Sequence, residues 1–218
     1  MRLHARESLP GGAARPFEAI AADLDACFAG DWRSELDVLV ALTGELSRDY
    51  VAVRRLIADA AAEGAFPTAA GGRSFWLKRT PRWHLRVNAW RPRPAGGGSE
   101  RQAHVEVVGD CHNHSFDFIT TCLFGSGYQS RFLRQHERVG ERFAAGDILP
   151  VEPAETIRLR PGDVMVVERD ADFHTQEWPE SYSLTLNLMP TPEPDAATRT
   201  YLIEEGTGRA LMVVDAAA

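Results

Sequence analysis

Cysteine is scarce in this chain: three in 218 residues. Cys27, Cys111 and Cys122 are odd in number and nowhere spaced as CxxC. That argues against a disulfide framework and a cysteine-based zinc site, and it fits a reducing, cytoplasmic setting. Long apolar runs are also missing, and nothing approaches the roughly 20 residues that a bilayer span requires. Met1 to Arg6 is not followed by an apolar stretch, so no secretory signal is expected. A basic surplus is lacking too. The formal net charge is -7, whereas nucleic-acid binding is driven by clustered Lys and Arg. Neither nucleic acid nor membrane is therefore an expected partner.

The rest of the composition is ordinary for a globular protein. Charged residues make up 25% and hydrophobic residues 44%, enough for a full core in one domain, or one domain with an appended subdomain. Residues 1–15 read as a flexible lead ending near Gly11-Gly12 and Pro16. From Phe17 the pattern is helical: Phe17, Ile20, Ala21, Leu24 and Phe28 recur on one face. A second helix is expected from about Asp31, with Trp32, Leu36, Leu39 and Val40 buried. Ser47 is placed to cap a third helix, striped by Val53, Leu56, Ile57 and Ala60, with Gly64 and Pro67 ending it. Residues 16–72 thus form a helical subdomain. Three helices with a turn invite a helix-turn-helix reading, but Asp49 and Asp59 share the third helix with its arginines. Packing against the rest of the chain is the better expectation.

From residue 73 to 218 the pattern is β. Segments 74–78, 82–90, 104–108, 128–133, 155–159, 164–168 and 182–189 alternate or are β-branched, with Gly and Pro between them. In 83–90, Trp83, Leu85, Val87 and Ala89 fall on one face; His84, Arg86, Asn88 and Trp90 fall on the other, toward solvent or a polar pocket. Segments 201–203 and 210–214 flank Gly206-Thr207-Gly208 as a C-terminal hairpin. Residues 134–155 look irregular, with His136 a solvated loop residue. About nine short strands argue for a sandwich or barrel.

One stretch carries the chemistry. In Asp110-Cys111-His112-Asn113-His114, leading into Phe118–Phe124, the two histidines are two residues apart. In a strand such residues point to the same side, so two imidazoles are presented together as metal ligands. His174, after a later strand-like run, is the candidate third ligand.

This order of features resembles the cupin superfamily over roughly residues 74–190. The first cupin motif runs from a glycine through His-x-His and a glutamate to a closing glycine. Here His112-Asn113-His114 and Gly125 match it, but Phe118 stands at the glutamate position. Asp117, one residue earlier, should point away from the histidines and serve structure. In the second motif His174 is kept, while Arg169, Ala171 and Trp178 replace the usual Pro, Gly and Asn. The resemblance implies a mainly β fold: a cupin-type jelly-roll barrel with an N-terminal helical subdomain. Two motif-one histidines, a later histidine and no glutamate are similar to the three-histidine branch, which includes thiol dioxygenases of the cysteine dioxygenase type. A tryptophan-ended strand ahead of the histidine pair, here Trp83–Trp90, is shared with that family.

The resemblance further implies a mononuclear non-haem dioxygenase using O2 on a small polar substrate, such as an amino acid or thiol. It implies Fe(II) on His112, His114 and His174, with nickel, zinc or manganese as the alternatives. A carboxylate substrate would want an arginine fork, for which Arg79 and Arg86 are candidates. Tyr128 is placed to meet substrate or oxygen. A Cys–Tyr crosslink occurs in some of those enzymes, and Cys122 and Tyr128 are candidates by residue type alone. Two other functions stay open: a non-redox metal-dependent cupin (isomerase or lyase), and a non-enzymatic ligand-binding cupin. The C-terminal hairpin offers a route to a homodimer.

Overall fold

The computed structural model describes residues 1–11, 15–64, 74–93, 108–137, 139–191 and 199–215. The expected strand over 104–108 falls almost wholly outside them. Twelve strands and three α-helices are described: β1 (Arg2–His4), α1 (Phe17–Cys27), α2 (Leu36–Arg48), α3 (Tyr50–Ala62), β2 (Ser74–Arg79), β3 (Trp83–Trp90), β4 (Cys111–Asn113), β5 (Phe118–Phe124), β6 (Tyr128–Gln135), β7 (Val151–Leu159), β8 (Val164–Val167), β9 (Asp172–Gln176), β10 (Ser183–Pro190), β11 (Arg199–Glu204) and β12 (Arg209–Asp215). No helix among the described residues is long and apolar enough to cross a membrane.

The strands form two six-stranded sheets, ordered β1-β8-β5-β10-β3-β2 and β12-β11-β4-β9-β6-β7. The central eight are nested: β3 pairs with β10, β4 with β9, β5 with β8 and β6 with β7, all antiparallel. Consecutive strands change sheets in pairs as one long hairpin folds over itself. That is the jelly-roll topology, and it makes the protein mainly β in two facing sheets. Its chain order places β4 and β9 side by side at the centre of the second sheet, with His112 directly opposite His174.

Alternation along the strands sorts the side chains into layers. Trp83, Leu85 and Val87 of β3, Leu186 and Leu188 of β10, Ile119 of β5 and Val164 and Val166 of β8 face outward from the first sheet. There they share one apolar core with Ile20 and Leu24 of α1 and Leu39, Val40, Leu42 and Leu46 of α2. The helices therefore lie on the outer face of the first sheet and keep it dry. A second cluster fills the space between the sheets: Phe118, Cys122, Tyr128, Phe132, Ile157, Leu159, Met165, Val167 and Met189. A third, built on Phe173, Tyr201, Ile203, Phe143 and Leu149, covers the back of the second sheet.

Several local expectations change. Residues 1–15 read from sequence as a lead, but Arg2–His4 runs antiparallel to β8 as an edge strand. The second helix begins at Leu36, because Asp31–Glu35 is spent on tight turns in which Ser34 N donates to Asp31 O and Glu35 N to Trp32 O. The cap of α3 is Asp49, whose carboxylate accepts from Ala52 N at 2.9 Å, and Ser47 instead donates to Gly44 O within α2. The segment 134–155 is less irregular than its charge suggests, since β6 reaches Gln135 and β7 begins at Val151. His136 is exposed. Two glycines are required by the turn between β5 and β6. Gly125 and Gly127 have φ of +91° and +68°, and a Cβ on them would strike the Tyr182 and Leu159 carbonyls respectively.

Candidate metal centre

His112, His114 and His174 come together inside the barrel, their nearest ring nitrogens all within 4.8 Å of one another. They are the described residues whose ligand-type atoms group in this way. His112 lies in β4, His114 just past its end, and His174 in β9, the strand that sequence reading missed. His174 and His112 pair in register, and Phe132 of β6 sits on the far side of His174 in the same row. The three rings meet edge to face, with centroids 4.8 to 5.0 Å apart.

Each ring is neutral. Burial lowers the His112 pKa, and it holds His114 and His174 well below the ordinary imidazole value. For His114 the neighbouring His174, His112 and Arg86 push the same way. The His112 tautomer is set by the backbone: Nδ1–H donates to the Asp110 carbonyl at 3.0 Å, leaving Nε2 as a lone-pair donor. His114 Nε2 and His174 Nε2 stand 3.1 Å apart, and His174 Nδ1 has no hydrogen-bond partner. Two nitrogens each about 2.0–2.1 Å from a shared ion are about 3 Å apart when they subtend roughly a right angle. Imidazoles held toward their neutral forms, with lone pairs converging, fit a divalent ion and disfavour protonation of any ring, so the donor set suits a metal. His112 and His174 are buried while His114 keeps partial exposure, which puts the opening of the site on its side.

Asp117 is not part of this group. It sits in the β4–β5 connection, where one oxygen accepts from Arg169 N at 3.0 Å and the other from Arg33 Nη2 at 2.6 Å. Both oxygens are committed to fastening the α1–α2 turn to the barrel rim, which is a structural role.

The polar row of β3 faces inward. His84, Asn88 and Arg86 all look into the barrel, and Trp76 of β2 packs edge-on against His84 at 5.2 Å. Arg86 is half-buried, and no salt bridge is seen for it among the described residues. Its Nε is buried without a hydrogen-bond partner, and burial lowers its pKa. Its guanidinium carbon lies 5.5 Å from the Phe116 ring and 5.8 Å from the Trp76 ring. Arg79, the other candidate, is exposed at the end of β2, with its guanidinium carbon 5.4 Å from the Trp76 ring centroid.

Tyr128 starts β6 and is buried. Its hydroxyl is hydrogen-bonded to Thr120 and Gln176, and burial pushes its pKa up. Thr120 passes the chain on to Asn187 Oδ1 at 2.8 Å. Tyr128 is thus anchored in a polar layer across the barrel, near Arg86. Cys122, with its thiol pushed up to about 11 by burial, donates to the Phe124 carbonyl and belongs to the same inner cluster. Sequence reasoning missed Phe116, Phe118 and Phe132, which wall the histidines with ring centroids 4.9 to 5.4 Å away. A flanking aromatic in a motif strand was the available signal.

No family model matches the chain, and no curated protein sequence does either. Solved structures do align with it at low identity. A DMSP lyase aligns with TM-score 0.33 and 15% identity over 54% of this chain and 46% of its own, so the present chain spans about half of that lyase's length. A hydroquinone 1,2-dioxygenase from Sphingomonas sp. TTNP3 aligns with TM-score 0.35 and 12% identity, over 58% and 70% of the two chains. A cupin domain from Bordetella pertussis aligns with TM-score 0.31 and 10% identity, over 55% and 92%.

Proposed function

We propose that this protein is a mononuclear metal-dependent enzyme of the three-histidine cupin type, an oxygenase acting on a small anionic molecule. The observation that carries this is the meeting of three imidazoles held toward their neutral forms, His112 and His174 buried on two paired strands and His114 partly exposed just beyond one of them, their nearest nitrogens within 4.8 Å. Such a triad would leave a divalent ion its whole charge, and Fe(II) held there would supply O2 activation.

The protein's own groups have separable roles. His112, His114 and His174 would hold the ion, and the Asp110 carbonyl fixes which nitrogen His112 offers. Arg86 meets the negative end of the substrate. A half-buried guanidinium with no carboxylate partner among the described residues is costly to hold, and an incoming carboxylate would satisfy its fork with two parallel hydrogen bonds. Tyr128 holds Thr120 and Gln176 in a fixed polar floor, and Phe116, Phe118 and Phe132 exclude water around the rings. Arg79 acts at the rim, packed on Trp76.

The test is elemental analysis of protein purified without added metal, beside His112→Ala and His174→Ala variants. About one iron per chain, lost in both variants, supports the reading. Zinc, nickel or manganese held by the same histidines, with no O2 uptake, moves the protein to non-redox lyase or isomerase chemistry. Metal that survives the loss of His174 sinks the triad.

A further inference from the structure

Outside the barrel, the packing between α3 and the first sheet is incomplete. Leu56 and Ile57 of α3 rest on the outer core of that sheet, as do Leu123 of β5 and Leu184 of β10. Between Val53 and Ile57 on the helix and Leu123, Phe124 and Leu184 on the strands, a cavity of about 200 Å³ remains. Folded cores leave few voids larger than a water molecule. An apolar cavity holds water poorly and takes hydrocarbon instead, and about 150 Å³ accommodates one benzene. Phe124 and Arg54 are exposed, which sets the mouth of the cavity beside them, while Val53 is buried within. The cavity is separate from the metal centre. β5 contacts His114 through its first residue, Phe118, and lines the cavity with its last two, about 17 Å of strand further on. Leu123 and Leu184 also face away from the barrel interior.

We infer that this cavity is a second binding site, for a free medium-chain alkyl carboxylate with its chain inside and its head on Arg54. The inference is independent of the metal-site reading. The lining decides the class of ligand. Its hydrocarbon members are aliphatic except Phe124, which stands at the exposed edge. An aryl ligand would therefore find no ring partners within to favour it over an alkyl chain. The charged member is Arg54, and no acidic side chain among the described residues lines the cavity. A guanidinium carries five donors, enough for a neighbour and a ligand carboxylate together. Ser47, the remaining polar member, donates its proton to the Gly44 carbonyl at 2.7 Å. Only its lone pairs are left for a ligand, so a carboxylate is turned toward Arg54. By comparison with the benzene-sized cavity, this one takes a chain of roughly eight carbons. A longer chain would trail past Phe124 into water.

The experiment is calorimetric titration of the full chain, as purified, with straight-chain carboxylates of four to twelve carbons and with 1-octanol. Affinity should rise about fourfold per methylene up to octanoate and then level off. Octanoate should bind at least threefold tighter than 1-octanol, and Arg54→Gln should remove that advantage while leaving octanol binding as it was. Ile57→Trp and Leu184→Trp fill the cavity from opposite walls. Each should lose octanoate binding with metal uptake the same as in the wild type. The chain-length series on the wild type stands even where a filling variant fails to fold. A wild type that binds none of the chains overturns the site, as does affinity that climbs unbroken to twelve carbons, the mark of an open surface. Octanoate binding untouched by both tryptophan variants overturns its location. Equal affinity for octanol and octanoate, or no effect of Arg54→Gln, overturns the carboxylate head.

Discussion

His84 shows how a single inward residue makes stability depend on pH. Burial lowers its pKa from 6.5, and nearby Arg79 adds to the effect. As pH falls below 6.5, the unfolded chain takes up the proton before the folded one does. Stability is therefore full above that value and declines as pH falls toward the depressed folded-state pKa. His84→Gln should flatten part of this decline, read as the difference between urea midpoints at about pH 7.5 and about pH 5.5. Tyr128 gives a different test. Removing its hydroxyl takes a partner from the buried Gln176 and from Thr120, although Thr120 keeps its bond to Asn187. Tyr128→Phe is expected to cost about 1–3 kcal/mol in denaturant unfolding. The histidine pair was legible at this scale because strand alternation is a two-residue period that sequence displays directly. Arg86 was legible only as one of two arginines. The same alternation put it on the polar face of β3, but whether that face meets water or the barrel depends on partners a hundred residues away.

At the scale of elements, the caps and turns decide where strands and helices stop. Asp49→Ala removes the carboxylate that accepts from Ala52 N at the start of α3. The expected loss is about 0.5–2 kcal/mol, seen as a lowered denaturation midpoint with an unchanged slope. Gly127→Ala should be far worse, because a methyl would enter the Leu159 carbonyl while φ stays at +68°. A fall in melting temperature of many degrees, or insoluble protein, is the expected readout. The adjoining residues explain why boundaries were read unevenly. Ser47 and Asp49 are both good caps by type, and only the geometry of the α2–α3 break selects Asp49. β9 hid from sequence reading because Asp172, Phe173, His174, Thr175 and Gln176 are buried on both faces, so no polar–apolar alternation marks the strand.

Across the molecule, the helices are not an ornament on the barrel. Trp83, Leu85, Val87, Leu186 and Leu188 are fully covered, and α1 and α2 supply the cover. A chain lacking residues 1–64 should expose that face, bind a hydrophobic dye strongly and aggregate, where the full chain stays clear. The sequence displayed both halves of this contact as apolar stripes. It could not say that the stripes met each other, since a helix stripe and a strand face carry no address.

The nested pairing also fixes an order of events in folding. β3 and β10 join residues about as far apart in the chain as Trp83 and Pro190, and β4 meets β9 across 62 positions, from His112 to His174. Such distant contacts are slow to find, because loop entropy is lost before any contact rewards it. The three ligands are then brought together only late on the folding path. A divalent ion added during refolding should leave the folding rate almost unchanged and slow the unfolding rate instead. In kinetic terms the metal acts as a lock applied after closure, and stopped-flow refolding with and without Zn(II) would reveal it as a change in the unfolding arm alone.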